Sequence, residues 1–166
     1  MVLHGRSDPQ PLFEQWQRAL AVGGFLMFST LGPGSLPELR SIHRAQGWGE
    51  PWVPFIDMHD LGDMLVHAGF ADPVMDMEVL TLTYDGFDEM LGELRAAGSG
   101  CAMKARRHGL TGRQAWERAH AAYESQRANG KLPATFEIVY GHAWKVAPKQ
   151  AADGRAIIRF DTPRRK

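Results

Sequence analysis

The stretch from Gly23 to Ser35 limits the possible folds more than any other part of the chain. Gly23-Gly24 stops a helix, Phe25-Leu26-Met27-Phe28 reads as a strand, and Gly32-Pro33-Gly34-Ser35 opens a second helix. That order is the hinge of an α/β unit. The four apolar residues do not alternate with polar ones, which predicts a strand covered on both faces of a parallel sheet. Ser29 and Thr30 bring polar groups to its carboxyl end, where open α/β sheets bind ligands. Gly32 and Gly34 permit backbone conformations that a Cβ resists, and Ser35-x-x-Glu38 fits a capping box for the following helix.

The flanks extend the same pattern. Asp8-Pro9 supplies an N-cap and a first helical position, and Leu12, Phe13, Trp16 and Leu20 fall on one face, predicting a helix from Asp8 to Leu20. A second helix is predicted from Leu36 to about Gln46, with Leu36, Leu39 and Ile42 inward. Between Gly47 and Phe55, two glycines and two prolines are interleaved with aromatics, which predicts an ordered, irregular loop. Trp48, Trp52 and Phe55 there either close a core or line an apolar acyl cleft.

Met58, Leu61, Met64 and Leu65 predict a helix from Asp57 to Ala68 with Gly69 as its left-handed stop. Val74 to Tyr84 alternates in two phases, Met75, Met77 and Val79 on one face and Leu80, Leu82 and Tyr84 on the other. A bulge near Val79-Leu80 would reconcile them. A helical excursion is expected over about 85–130, in which Phe87 to Leu94 and a helix capped by Thr111-x-x-Gln114 flank the joint Gly98-Ser99-Gly100. The second helix stops at Asn129-Gly130. From Thr135 to Val146 even-numbered residues (Phe136, Ile138, Tyr140, His142, Trp144) share one side, as in a last sheet strand. The organisation expected is one domain over 1–147 and a polar tail, 148–166, with a short edge strand at 156–160.

Bulk properties matter mainly for what they exclude. Nineteen basic residues balance nineteen acidic ones, which argues against a generally cationic nucleic-acid binder. Cys101 is the only cysteine, so no intrachain disulfide or four-cysteine zinc site is expected, and no two histidines have close helical ligand spacing, so no metal site is expected. No apolar run approaches a membrane span or a signal peptide, so the expected location is the cytoplasm.

Three blocks carry a specific resemblance: Leu12-Phe13-Glu14-Gln15-Trp16-Gln17-Arg18-Ala19-Leu20, Phe28-Ser29-Thr30-Leu31-Gly32-Pro33-Gly34-Ser35-Leu36-Pro37-Glu38-Leu39, and Tyr140-Gly141-His142-Ala143-Trp144. They resemble the carboxyl half of class I S-adenosylmethionine-dependent methyltransferases, most closely the biotin-pathway malonyl-carrier-protein O-methyltransferases (BioC type). The fold implied is α/β: half of a Rossmann-like mixed sheet with one antiparallel strand between the other two, plus a helical insertion. A three-layer arrangement is expected, with an edge along Phe25 to Leu31 left bare or covered by a second copy or by the missing half.

The family's glycine-rich loop after its first strand and its acids near the second and fourth strands have no counterpart here. Met1-Val2-Leu3-His4 is similar to the end of its fourth-strand motif. The expectation is therefore a chain without the cofactor half and inactive alone. The resemblance implies S-adenosylmethionine as cofactor and a malonyl thioester on an acyl carrier protein as partner. Two alternatives stay open: a non-catalytic carrier-binding or dimerising module, and a methyltransferase with another acceptor.

Placement at strand ends makes His4 and Tyr84 the candidate catalytic residues and Ser29 and Thr30 the candidate cofactor-binding ones. The alternative is that His4 caps the terminus, Ser29 and Thr30 satisfy backbone groups, and Tyr84 packs. Lys104, Arg106, Arg107 and Arg113 lie in a segment without acidic residues. They are candidates to meet a substrate carboxylate or an acidic carrier, or form a solvated basic loop.

Overall fold

The computed structural model describes residues 3–98 and 109–147. Five helices, α1 (Gln10–Ala19), α2 (Pro37–Ala45), α3 (Met58–His67), α4 (Phe87–Ala96) and α5 (Arg113–Glu124), accompany three strands, β1 (Phe25–Leu31), β2 (Ala71–Tyr84) and β3 (Leu132–Trp144). The sheet order is β1-β3-β2, with β3 antiparallel to both neighbours. The last strand thus lies between the first two, as the resemblance implied, and β1 forms one edge.

Register assigns the two faces. Leu26, Phe28, Thr30, Met75, Val139 and Ala143 share one face; Phe25, Met27, Ser29, Leu31, Tyr140, His142 and Trp144 share the other. Helices α1 and α3 both pack on the first face, where buried Phe13, Leu61 and Leu65 meet Val139 and Ala143. This corrects two expectations. β1 has no parallel neighbour among the described residues and its second face is open: Phe25 is 50% and Met27 70% exposed. The helices α1 and α3 form one layer instead of flanking the sheet on opposite sides. An unbroken apolar run cannot distinguish a strand buried on both faces from one whose second face awaits a cover.

A second core cluster gathers at the carboxyl ends of β1 and β2, where Leu36, Leu39 and Ile42 of α2, Phe87 and Met90 of α4 and Ala119 and Tyr123 of α5 surround Tyr84, Leu132 and Ala134. The Tyr123 hydroxyl, its pKa pushed up by burial, donates to the Pro133 carbonyl at 2.6 Å and ties α5 to β3.

Both capping boxes fail. The α2 cap is Leu36, in the left-handed region, and Gly112 caps α5; neither makes a side-chain cap bond. The Ser35 and Glu38 side chains are engaged elsewhere: Ser35 Oγ bonds Glu137 backbone, and the Glu38 carboxylate accepts from the Thr135 amide and hydroxyl at 3.2 and 2.6 Å.

Nor is there a bulge at Val79-Leu80. β2 keeps one register from Val74 to Tyr84, and the irregularity lies at Asp72-Pro73, with Asp72 at φ 49°. The two apolar phases arise because the start of β2 faces α3 through Met75 and its end faces a cleft through Leu80 and Leu82. Asn129 and Gly130, both at positive φ, do not stop α5, which ends at Glu124. They form a two-residue turn in which Ala128 and Lys131 exchange backbone hydrogen bonds at 2.9 and 3.0 Å before β3. The expected edge strand at 156–160 and the joint at Ser99-Gly100 lie outside the described residues.

Gly141 shows why β3 carries a glycine at its centre: a Cβ there would overlap the Phe28 ring, which lies against α1 within 5.5 Å of Phe13. Replacing Gly141 with Ala is expected to destabilise the chain by about 1–3 kcal/mol by overpacking. In a double-mutant cycle by urea denaturation, the cost should shrink in a Phe28→Leu background.

Candidate functional site: an apolar cleft at the strand ends

A cleft of about 510 Å³ opens where the carboxyl ends of β1 and β2 meet the loop at Trp52–Phe55 and the end of α4. Alternation along the strands builds its floor: Leu31, Ile138, Phe136, Leu80 and Leu82 all point to this face. Trp52 and Phe55, stacked at 5.7 Å, form a wall. Trp52 is 8% exposed, belongs to the core and also borders the cleft, so closing a core and lining a cleft are not exclusive here.

The polar groups of the cleft are few. Tyr84, the last residue of β2, donates its hydroxyl to Glu93 Oε2 at 2.9 Å. Burial, reinforced by that carboxylate, pushes the phenol up to about 12, so Tyr84 stays protonated at neutral pH and cannot serve as a phenolate base. His4 sits in a turn (Leu3–Gly5) anchored by buried Leu3. Its Nδ1 is enclosed without a hydrogen-bond partner, and burial holds the imidazole below its usual pKa, so it is neutral at pH 7. The cleft therefore presents a neutral imidazole and a neutral phenol within apolar walls.

His4 and Tyr84 are brought together on this cleft, whereas Ser29 and Thr30 do not line it. Thr30 is buried on the α1/α3 face, beside a small cavity shared with Leu3, His4 and Leu61, and Ser29 lies on the opposite face beside Tyr140. Adjacent strand residues point to opposite faces, so a neighbouring pair cannot serve one site. Arg113 is the exposed first residue of α5, with Nε 2.8 Å from Glu117 Oε1. Lys104, Arg106 and Arg107 lie outside the described residues. Glu93 was missed; it is an exposed residue of α4, one turn after buried Met90, and its sequence surroundings carry no signal that sets it apart.

The glycine loop after β1 is filled by the protein itself. The Gly34 amide donates to Glu137 Oε2 at 3.1 Å, and a Cβ at Gly32 or Gly34 would collide with that carboxylate. Close approach, rather than positive φ, is what these two glycines provide. With this amide engaged and Glu93 accepting from Tyr84, the described residues do not fit the ribose and amino-acid portions of a nucleoside cofactor. They leave an apolar volume bordered by the His4 imidazole, the Tyr84 hydroxyl and the Glu93 carboxylate. Among the described residues no three His, Cys, Asp or Glu side chains are grouped to hold a metal, and no helix is long and apolar enough to cross a membrane.

No family model matches the chain. It is 51% identical over 149 residues to the malonyl-[acyl-carrier protein] O-methyltransferase of Nitrosospira multiformis, covering 90% of this chain and 48% of that protein. Over 153 residues it is 50% identical to the enzyme of the same name from Gallionella capsiferriformans, covering 92% and 53%. The chain thus spans about half the length of the curated relatives it matches.

Solved structures agree on the fold. A Bacillus halodurans structure described as a candidate methyltransferase superposes with a TM-score of 0.52 at 14% identity over 89% of this chain and 67% of its own. The YcgJ protein of a Bacillus gives 0.51 at 12%, covering 88% and 61%. Likeness at such identity concerns architecture alone: the chain has an α/β fold of the Rossmann-like methyltransferase type.

Burial lowers the pKa of His4 and also of His43, whose Nδ1 is likewise enclosed and unpartnered. Below the ordinary value of 6.5 the native state then binds fewer protons than the unfolded chain. Stability is therefore full above about pH 6.5 and falls as pH drops through the native pKa values. Urea midpoints at pH 7.5, 6.5 and 5.5 should show this decline, with a shallower slope for His43→Leu.

Proposed function

Since the chain is homologous to about half the length of the malonyl-[acyl-carrier protein] O-methyltransferases, we propose that it supplies the acyl side of such an enzyme. The reaction is S-adenosylmethionine-dependent methylation of the free carboxylate of a malonyl-carrier-protein thioester, in biotin biosynthesis and in the cytoplasm. The observation that carries this reading is the apolar cleft holding His4 and Tyr84, within a sequence half identical to those enzymes. A malonyl carboxylate is ionised at neutral pH and needs no general base. The protein's task is to orient that carboxylate and exclude water. His4, whose Nδ1 has no partner, and Tyr84, which would exchange its bond to Glu93 for one to the substrate, are assigned to orientation by hydrogen bonding, and the Trp52, Phe55 and Leu82 walls to exclusion.

This chain alone is proposed not to transfer methyl groups, because the described residues do not fit the cofactor. The engagement of the Gly34 amide by Glu137 also favours a second reading, a carrier-binding module without catalysis. Labelled methyl transfer to malonyl-carrier protein, measured for the chain alone and co-produced with the part of the N. multiformis enzyme it does not span, separates the two. Transfer is expected only for the pair, and should fall about tenfold for Tyr84→Phe, the scale of one hydrogen bond. An inactive pair would support the module; an active lone chain would refute the incomplete site.

Lys104, Arg106, Arg107 and Arg113 are proposed to face the carrier's acidic surface. Exchanging Arg106 and Arg107 for Glu should weaken carrier binding more than tenfold at low salt, while stability moves by less than about 0.5 kcal/mol. Unchanged affinity and salt slope would make the segment an ordinary solvated loop.

A further inference from the structure

The cleft is elongated, and its two ends are unlike. Leu31, which borders it with His4, pairs with Ile138, whereas Tyr84 pairs with Leu132, six residues back along β3. A strand rises about 3.4 Å per residue, so these positions lie about 20 Å apart. Phe136, Leu80 and Leu82 floor the stretch between them with apolar side chains. One end holds the neutral His4 imidazole, and the other the Tyr84 hydroxyl bonded to the Glu93 carboxylate. Among the described residues that line the cleft, Glu93 alone carries a charge. A malonyl group is far shorter than the cleft, so one that fills one end leaves the rest to whatever the acyl group is attached to.

We propose that Tyr84 and Glu93 bind an amide group of the thioester arm by which an acyl carrier protein presents its acyl group. The inference rests on the function proposed above. An amide offers a carbonyl oxygen and an N–H side by side. A Tyr84 hydroxyl turned away from Glu93 donates to the carbonyl, and the Glu93 carboxylate it leaves accepts from the N–H. Exchanging the internal bond for these two leaves neither side chain unpaired. A carboxylate in the same place accepts from Tyr84 but has no N–H for Glu93, and it meets a like charge at close range. The pair therefore takes an amide where it rejects an anion, and the acyl carboxylate is sent to the His4 end.

Nearby charges reinforce this choice. Glu89, one turn before Glu93, bonds to the Asp85 amide and adds to the negative field at Tyr84, while Lys131 is held by Asp85 and Arg127 by Glu124. Ala97 and Gly98 border the cleft at the same end as Glu93, and in sequence Gly98 leads into the segment of Lys104, Arg106 and Arg107. An arm entering there keeps its carrier at the end of the cleft where that segment begins.

Pantetheine and pantothenate are the probes, because the carboxylate that ends pantothenate is an amide in pantetheine. Binding of each to the chain is followed by nuclear magnetic resonance at the Trp52 indole, which borders the cleft. Pantetheine is expected to bind about tenfold more tightly than pantothenate, or better. Glu93→Gln keeps an acceptor and removes the charge, so it should reduce that preference to about threefold or less, chiefly by tightening pantothenate, a gain that lost structure cannot produce. Glu89→Gln removes an equal charge that does not border the cleft and should leave the preference standing. Coenzyme A carries the same arm, so holo-carrier protein and coenzyme A are each titrated against bound pantetheine, and the carrier should displace it at the lower concentration.

No binding of pantetheine, equal binding of the two probes, a preference untouched by Glu93→Gln or equally reduced by Glu89→Gln, or coenzyme A as the better competitor would each overturn the proposal. A preference that depends on Glu93 in a chain whose co-produced pair transfers no methyl group would overturn the assigned reaction and leave the arm site standing. Methyl transfer by that pair without the preference would do the reverse.

Discussion

One carboxylate-bearing residue, Glu137, joins the first third of the chain to its last strand. Its carbonyl accepts from the Gly32 amide at 2.9 Å and from Ser35 Oγ at 3.0 Å, its amide donates back to Ser35 Oγ at 3.0 Å, and its side chain accepts from the Gly34 amide. Each bond spans more than a hundred residues of sequence. These bonds fix the loop that turns β1 into α2, together with Arg40 Nη1 donating to the Pro33 carbonyl at 3.1 Å, and the position of α2 determines where Leu36 meets the cleft. Glu38 adds a second clamp from α2 to Thr135. Loop amides must find partners, and here the partner strand supplies those of Gly32, Gly34 and Leu36, while the Ser35 amide bonds back to the Gly32 carbonyl.

The cleft follows from the same register. On β2 and β3, one face changes character along its length, from the aromatic surface at Trp144 to the floor of the cleft at Phe136. The helical excursion closes the lower end through Phe87, Met90 and Tyr123, so that Tyr84 is buried where β2 ends. Burial then decides the chemistry: it keeps the phenol protonated and the His4 imidazole neutral.

Periodicity exposed most of the fold. The strand at Phe25, the left-handed stop at Gly69 and the even-odd division of β3 are local patterns, and each was legible. What sequence misjudged was choice among partners. Ser35 and Glu38 have the spacing of a capping box, yet both reach across to β3, because a tertiary acceptor beside them outcompetes the local cap. Ser29 and Thr30 looked like one polar site, but a strand sends neighbours to opposite faces. His4 and Tyr84 were singled out because strand ends and turns are where such folds place side chains, and both border the cleft; Glu93 was hidden because its own helix gives no hint of what faces it.

The order β1-β3-β2 also has a temporal side. Among the described strands the one that joins the other two is made last, and Leu31 pairs there only with Ile138. On the ribosome β1 and β2 emerge with no mutual hydrogen bonds available to them, each with unpaired amides and apolar side chains exposed. Closing such distant contacts is slow, and unpaired strands are vulnerable to aggregation while they wait. For this topology, the interval between synthesis of Tyr84 and of Trp144 is the hazardous one, in which helices α4 and α5 can form locally but the sheet cannot yet exist.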